Sequence, residues 1–364
     1  MTAAARERGE PDAPGGREGT IQLAKVLVIG GTGQISSEVT AHAVRFGHDV
    51  TVINRGRSRL PLPDGVSHIE ADRSDPDGFS AAVEQALERG VTAVVDMICF
   101  KPEQARQMAR VLQGKVKHYI FCSTVCVYGG HLPSVPAPES TPHRPVSQYG
   151  ADKSECERIL FEAHRRGDLP VTVFRPSYTL GRGGHPDSIW GRDPYLVDRI
   201  RKHKPILMLD SGNNLWHPAS SVDVGRIIAA AIENDQAVGE DFNVNGPRIY
   251  TQREYFEALG EALNAPVELV SVPTQGFIAA TGRQGSFVQT IFQYHCAFSN
   301  EKVRRKLGYE PSVSHEEAVL SAVEHLERRG MLKSSDESDR DDRVIRAVRE
   351  YADGLVEAIA RELQ

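Results

Sequence analysis

A tyrosine and a lysine one helical turn apart, Tyr149 and Lys153 in SQYGADKSE (147–155), can handle a proton together. A spacing of four residues brings both side chains out of the same helix face. An ammonium beside a phenol favours the phenolate and so lowers the phenol's pKa, which suits proton exchange with a carbinol oxygen near neutrality. The same ammonium can hold a sugar hydroxyl. Tyr and Lys are also common on solvated helix faces, so the pair alone is weak, and its meaning depends on what lies upstream.

From residue 25 onward, short apolar runs alternate with helix-like stretches. KVLVIG is an apolar run closed by glycine, the form of a strand buried on both faces. Helical sequence runs to Phe46, Gly47 stops it, and DVTVIN begins a second strand. SHIEA, VTAVVDM, KHYIFCS and PVTVFRP supply four more, with helices predicted near 76–89 and over PEQARQMARVLQG, where Pro102 suits a first turn and Gly114 a cap. A Pro-, Gly- and His-rich loop (129–146) leads into the helix of Tyr149 and Lys153. Alternating β and α at this spacing predict an α/β fold, a parallel doubly wound sheet covered by helices.

Between the first strand and first helix, VLVIGGTGQISSE places Gly30, Gly31 and Gly33. Glycine allows a tight turn with positive φ and leaves no Cβ between backbone and a pyrophosphate at the helix N-terminus. Gly30, Gly31, Thr32, Gly33, Gln34 and Ile35 are therefore candidate dinucleotide contacts. Ser36 replaces the third glycine of the usual fingerprint, which predicts an adjusted helix–strand fit rather than lost binding. The second strand ends VINRGRSR, with Asn54 and then Arg55, Arg57 and Arg59 where an NAD site usually places a carboxylate. That exchange of charge favours a 2′-phosphate and NADP over NAD. Asp72 is placed to meet the adenine, with Arg73 beside it; Asp96, Met97 and Cys99 end the fourth strand at the same crevice.

The composition sets outer bounds. The net charge of −6 over 364 residues gives no global basic field for nucleic acid or anionic membrane. No apolar run is long enough for a spanning helix, and the N-terminus lacks the apolar core of a secretory signal. Five cysteines (Cys99, Cys122, Cys126, Cys156, Cys296) without CxxC or Cys/His spacing are read as reduced thiols of a cytoplasmic protein, with no metal site. The expected organisation is a disordered leader (1–23), a dinucleotide-binding domain (24–177), a smaller substrate-binding region interleaved with the last strands of the sheet (178–330), and a charged linker with an amphipathic helix (331–364) that packs on the body or on a partner subunit. Helices are expected near 221–234 and 251–263.

With the Gly turn, FCSTVCVYGG after strand five, Tyr149/Lys153, FRPSY after strand six and NEKVRRKLGYEPSVSHEEAV near the end, the chain resembles the extended short-chain dehydrogenase/reductases, the NAD-dependent epimerase/dehydratase group, over roughly residues 25–328. INRG, ADRSD and GKVKHYIFCST look most like the branch containing the chloroplast stem-loop-binding proteins and their bacterial relatives. The resemblance implies a Rossmann-type fold and an NAD(P) cofactor. It makes Tyr149 the acid/base, Lys153 the ribose ligand and Thr124 the third catalytic hydroxyl, with Ser123 its possible substitute. It also sets Pro176 and Ser177 at the nicotinamide end.

Sugar 4,6-dehydratases of the group carry Asp-Glu where this chain has Val125 and Cys126, which cannot act as acid and base. Redox at one carbinol carbon remains, with epimerisation through a transient ketone expected from the resemblance and net reduction as the alternative. The expected substrate is a sugar, nucleoside or phosphorylated polyol, met by Tyr178, Arg182, His185, Trp190, Arg192, Asn214, Trp216 and His217; each also reads as a loop anchor. A homodimer is a further expectation. Two alternatives from other classes are an RNA-binding protein, with RIRKHK (199–204) as its basic stripe, and a redox sensor that binds NADP without turnover.

Overall fold

The computed structural model describes residues 23–57 and 60–363. All of the expected leader but Leu23 lies outside the described residues, as does Arg59. The chain alternates β1 (Lys25–Ile29), α1 (Gln34–Arg45), β2 (Asp49–Asn54), β3 (Ser67–Glu70), α2 (Pro76–Glu88), β4 (Ala93–Asp96), α3 (Pro102–Val111), β5 (His118–Cys122), α4 (Gln148–Arg165) and β6 (Val171–Pro176). Strand β7 (Asp241–Val244) comes from much later in the chain and completes a seven-stranded parallel sheet in the order β7-β6-β5-β4-β1-β2-β3.

The apolar runs account for this sheet. Successive side chains of a strand point to opposite faces, so Val26 and Val28 of β1 join one hydrophobic core while Leu27 and Ile29 join the other. All four are fully buried, each contributing on the order of 1.5–3 kcal/mol. On the first face α1 packs against α6 (Ser221–Ala230, following α5 at Leu196–Arg201). Gly225 makes that approach possible, since a Cβ there would lie 2.4 Å from the Cβ of Glu38.

Helix α4 buries Lys153, Cys156, Leu160 and Ala163 on one face, and Ser147 caps it by accepting from the Gly150 amide. Tyr149 thus sits in the first turn and Lys153 one turn later, as the spacing predicts. The expected helix near 221–234 ends at Ala230; that near 251–263 spans α7 (Gln252–Ala262). A separate core beyond the sheet gathers Leu196, Trp216, Tyr255, Phe256 and Phe292. Among the described residues no helix is long and apolar enough to cross a membrane.

Candidate active site

A cavity of about 630 Å³ opens over the carboxyl ends of β1, β4, β5 and β6, where ligands of open parallel sheets bind. Its sheet side includes Gly33, Met97, Thr124, Tyr149, Lys153 and Pro176. Its far wall includes Tyr178, Trp216, Phe287, Tyr294, Phe298 and one carboxyl, Asp187.

Lys153 is buried, and its Nζ donates to the Cys122 carbonyl at 2.7 Å. It rests 4.8 Å and 4.7 Å from the rings of Phe100 and Phe121 and 6.0 Å from that of Tyr149. The expectation that this ammonium depresses the tyrosine is corrected here. Burial lifts the phenol above its ordinary value, the Cys126 and Cys122 thiols add to the rise, and only a hydrogen bond with Thr124 pulls it down. The residue is 44% exposed to the crevice, so solvent limits the rise. Thr124 also caps the turn after β5, accepting from the Cys126 amide at 3.2 Å. Ser123 lines the cavity, but its hydroxyl is committed to the buried Glu157 and is no substitute for Thr124.

The turn between β1 and α1 has the backbone that its glycines predict. Gly30 and Gly31 have φ of +109° and +61°, and a Cβ on Gly31 would lie 2.6 Å from a Val52 methyl. Gly33 caps α1 with extended backbone, and its amide donates to Ser36 Oγ at 2.7 Å, so the replacement serine rebuilds the turn. The Thr32 hydroxyl donates to the Gly30 carbonyl at 3.1 Å. Asn54 is tied to the same turn and to His68, whose part the sequence did not signal. Arg55 and Arg57 are exposed beside Asp72, whose carboxyl is held below its usual value mainly by Ser74, with the arginines adding to the effect. A glycine turn, a helix N-terminus and an inward lysine fit a dinucleotide phosphate and ribose.

Several candidates are engaged elsewhere. Arg73 pairs with Asp96 at 2.6 Å in the core, where Tyr119 also donates to Asp96, so neither residue faces the crevice. Cys99 is buried against Cys156 beneath α4 rather than in the cavity. Gln34 and Ile35 line the cavity, but the Gln34 amide donates to the Thr179 carbonyl at 2.8 Å. Ser177 also lines it and donates to the His217 carbonyl at 2.6 Å.

On the substrate side, Arg182 binds Glu38 with contacts of 3.1 and 2.6 Å. Arg192 lines the cavity but donates to the carbonyls of His185 (2.9 Å) and Thr179 (2.7 Å) and lies over the Tyr178 ring. His185 is outside the wall. Trp190 donates to Asp341 and carries Arg340 on its ring, which anchors the last helix rather than a substrate. Asn214 holds the Gln293 carbonyl at 3.0 Å, outside the cavity. His217, in the wall, is pushed down to about 4 by burial and bonds the Gly246 carbonyl, so it is neutral scaffold at pH 7. Tyr178 and Trp216 do form the far wall, with ring centroids 5.2 Å apart. Phe100, Tyr294 and Phe298 were not signalled, nor was Asp187. The cysteines are free thiols, and no cluster of three or more metal-ligating side chains occurs among the described residues.

This glycine-turned parallel sheet, with its cavity at the strand ends, defines the dinucleotide-binding class. The chain belongs to the NAD dependent epimerase/dehydratase family, whose model matches residues 26–245. Relatives include the 2'-dehydrokanamycin reductase of Streptomyces kanamyceticus, 28% identical and covering 69% of this chain and 70% of that protein. The chloroplast stem-loop binding protein of 41 kDa b of Arabidopsis thaliana is 24% identical over 88% of this chain and 84% of its own. Among solved structures of similar fold is the Bordetella bronchiseptica enzyme WbmG in complex with NAD, at TM-score 0.67 and 19% identity, covering 87% of this chain and 98% of that one.

Proposed function

We propose that the chain transfers a hydride between a nicotinamide dinucleotide and one carbinol carbon of a sugar-like polyol, acting as a ketone reductase. The observation that carries this reading is that the Tyr149 phenol, its partner Thr124, Lys153 and the capped end of α1 share one cavity. The turn from Gly30 to Gly33 would hold the phosphates and Lys153 the ribose. Arg55 and Arg57, beside Asn54 rather than a carboxylate, favour NADP. When bound, the dinucleotide supplies or accepts the hydride. Tyr149 gives the ketone oxygen its proton as the carbinol forms, and Thr124 hydrogen-bonds the same oxygen. A phenol held above its usual pKa is protonated at neutral pH, ready to act as the acid of a reduction. Val125 and Cys126 line the cavity and supply neither acid nor base for elimination of water.

Epimerisation, expected from the resemblance, requires the transient ketone to turn its other face to the same hydride without leaving. That needs an anchor remote from the reacting carbon, such as a phosphate grip. Arg182 and Arg192 are engaged by Glu38, backbone carbonyls and Tyr178, which favours the reductase. The name of the Streptomyces kanamyceticus relative, a reductase, points the same way. The RNA reading loses its basic stripe: Arg199, Arg201, Lys202 and Lys204 pair with Asp342, Glu327 and Asp336.

The test is the fate of the dinucleotide. Protein purified and then denatured is expected to release little NAD(H) or NADP(H), because a reductase exchanges its cofactor; a stoichiometric yield would return the epimerase. Tyr149→Phe is expected to bind dinucleotide as the parent does and to lose roughly 10²–10⁴ in turnover. Undiminished turnover would remove Tyr149 from the mechanism.

A further inference from the structure

We propose that Asp187 forms an ammonium-binding subsite in the far wall of the cavity, so that the substrate is an amine-bearing sugar. This rests on the reading of the cavity as a polyol site and adds the substrate's charge to it.

Asp187 lines the cavity and is 3% exposed. Its Oδ1 is buried without a hydrogen-bond partner. A carboxylate offers about four acceptor positions, and a buried one left short of donors is costly. The strong hydrogen bonds of the neighbouring side chains go to other acceptors. Arg192, its cross-strand partner, turns Nη1 and Nη2 to the carbonyls of His185 and Thr179. Only its Nε faces the carboxylate, at 3.7 Å, beyond hydrogen-bond range. The hydroxyls of Tyr178 and Tyr255 accept from the backbone N–H of Asp187, and Tyr255 donates to the backbone carbonyl. Asp193, the acid whose charge Asp187 feels, is itself paired with Ser188 and Arg340.

The carboxyl therefore has one guanidinium nearby and no hydrogen-bond donor on Oδ1. It is the one carboxyl in a wall whose other polar side chains, Arg192, His217 and Ser177 among them, are held by backbone carbonyls. A substrate ammonium brings several N–H donors and the opposite charge, whereas a neutral hydroxyl brings a single donor and no charge. A phosphate would meet a carboxylate and no free arginine. Burial lifts this carboxyl to about 7, Arg192 opposing and Asp193 adding to the rise, so an arriving cation would stabilise its ionised form.

The test is the binding of glucosamine, N-acetylglucosamine and glucose to the dinucleotide-loaded protein at pH 7, where the glucosamine amine is mostly charged, measured by calorimetry. Glucosamine is expected to bind at least tenfold more tightly than either neutral sugar, because acetylation removes the charge and glucose lacks the nitrogen. Asp187→Asn is expected to abolish the difference while leaving dinucleotide affinity unchanged. No preference for the amine in the unaltered protein, including no measurable binding of any of the three, overturns the proposal without recourse to the variant. A preference that survives in Asp187→Asn overturns the assignment to this residue. Failure to bind dinucleotide at all would instead strike the hydride-transfer reading, so the two failures are distinguishable.

Discussion

Glu157 and Asp187 are both buried carboxylates, 2% and 3% exposed, and the chain surrounds them differently. Glu157 on α4 accepts from Arg175 Nε at 3.0 and 3.1 Å, from Arg175 Nη2, and from Ser123. Arg175 in turn reaches the Tyr128 hydroxyl at 2.7 Å and Asp241 at 2.8 Å, and Asp241 meets Lys302. The cluster ties β5, α4, β6 and β7 together. Asp187 has only a guanidinium at 3.7 Å from its Oδ1, which has no hydrogen-bond partner. A buried carboxylate whose acceptors are filled by the protein holds elements in register; one left short in a cavity wall has acceptor capacity for a ligand.

The largest expected effect breaks the satisfied side. Glu157→Ala leaves Arg175 with Asp241 as its one remaining counter-charge and its Nε and Nη2 unpaired in the core. Removing one partner of a buried pair costs about 3–5 kcal/mol. The denaturation midpoint should fall accordingly, with activity lost only in proportion to unfolding. A change below about 1 kcal/mol would mean that the network is not scaffold and the contrast is empty.

Asp187→Asn should act with the opposite sign. The Asp187 carboxyl sits at about 7 in the fold against 3.8 ordinarily, so the native state binds its proton more tightly than the unfolded chain. Stability is then lost as pH rises from about 3.8 to about 7 and changes no further above that. An amide carries no such dependence. The variant should match the parent below pH 4 and exceed it at pH 8 by about 4 kcal/mol, the linkage of a carboxyl that moves from 3.8 to about 7. Equal stability at both pH values would show that Arg192 already satisfies the carboxylate.

The contrast also explains what was legible in the sequence. β1 to β6, the glycine turn and the Tyr149/Lys153 pair are local: each follows from a period or spacing within about a dozen residues. The wall formed by Phe287, Tyr294 and Phe298 arrives from more than a hundred residues beyond Tyr178, and no spacing links the two. Arg182 and Trp190 have side chains suited to a ligand, but their partners, Glu38 and Asp341, are 144 and 151 positions away. Arg73 and Asp96 were both read as crevice residues, yet packing joins them to each other. Asp187 stands in GGHPDSIW, where an aspartate among Gly and Pro reads as a turn former; only its burial beside engaged donors sets it apart.

The smallest expected effect tests whether an arginine in that same loop is available to substrate. Arg182 is 46% exposed at its side chain, and its guanidinium is held by the buried Glu38, which belongs to α1 and packs against α6. An ion pair with one exposed partner is worth little, on the order of 1 kcal/mol or less. Arg182→Ala should therefore cost the fold about that much and leave substrate KM within about threefold of the parent. If this arginine gripped a phosphate, its removal would take away a charge-assisted hydrogen bond worth about 1.5–3 kcal/mol, and KM would rise by tenfold or more. A rise of that size with kcat preserved would restore an anionic anchor remote from the reacting carbon. With such a pivot the ketone could turn over while bound, and epimerisation would again outrank reduction.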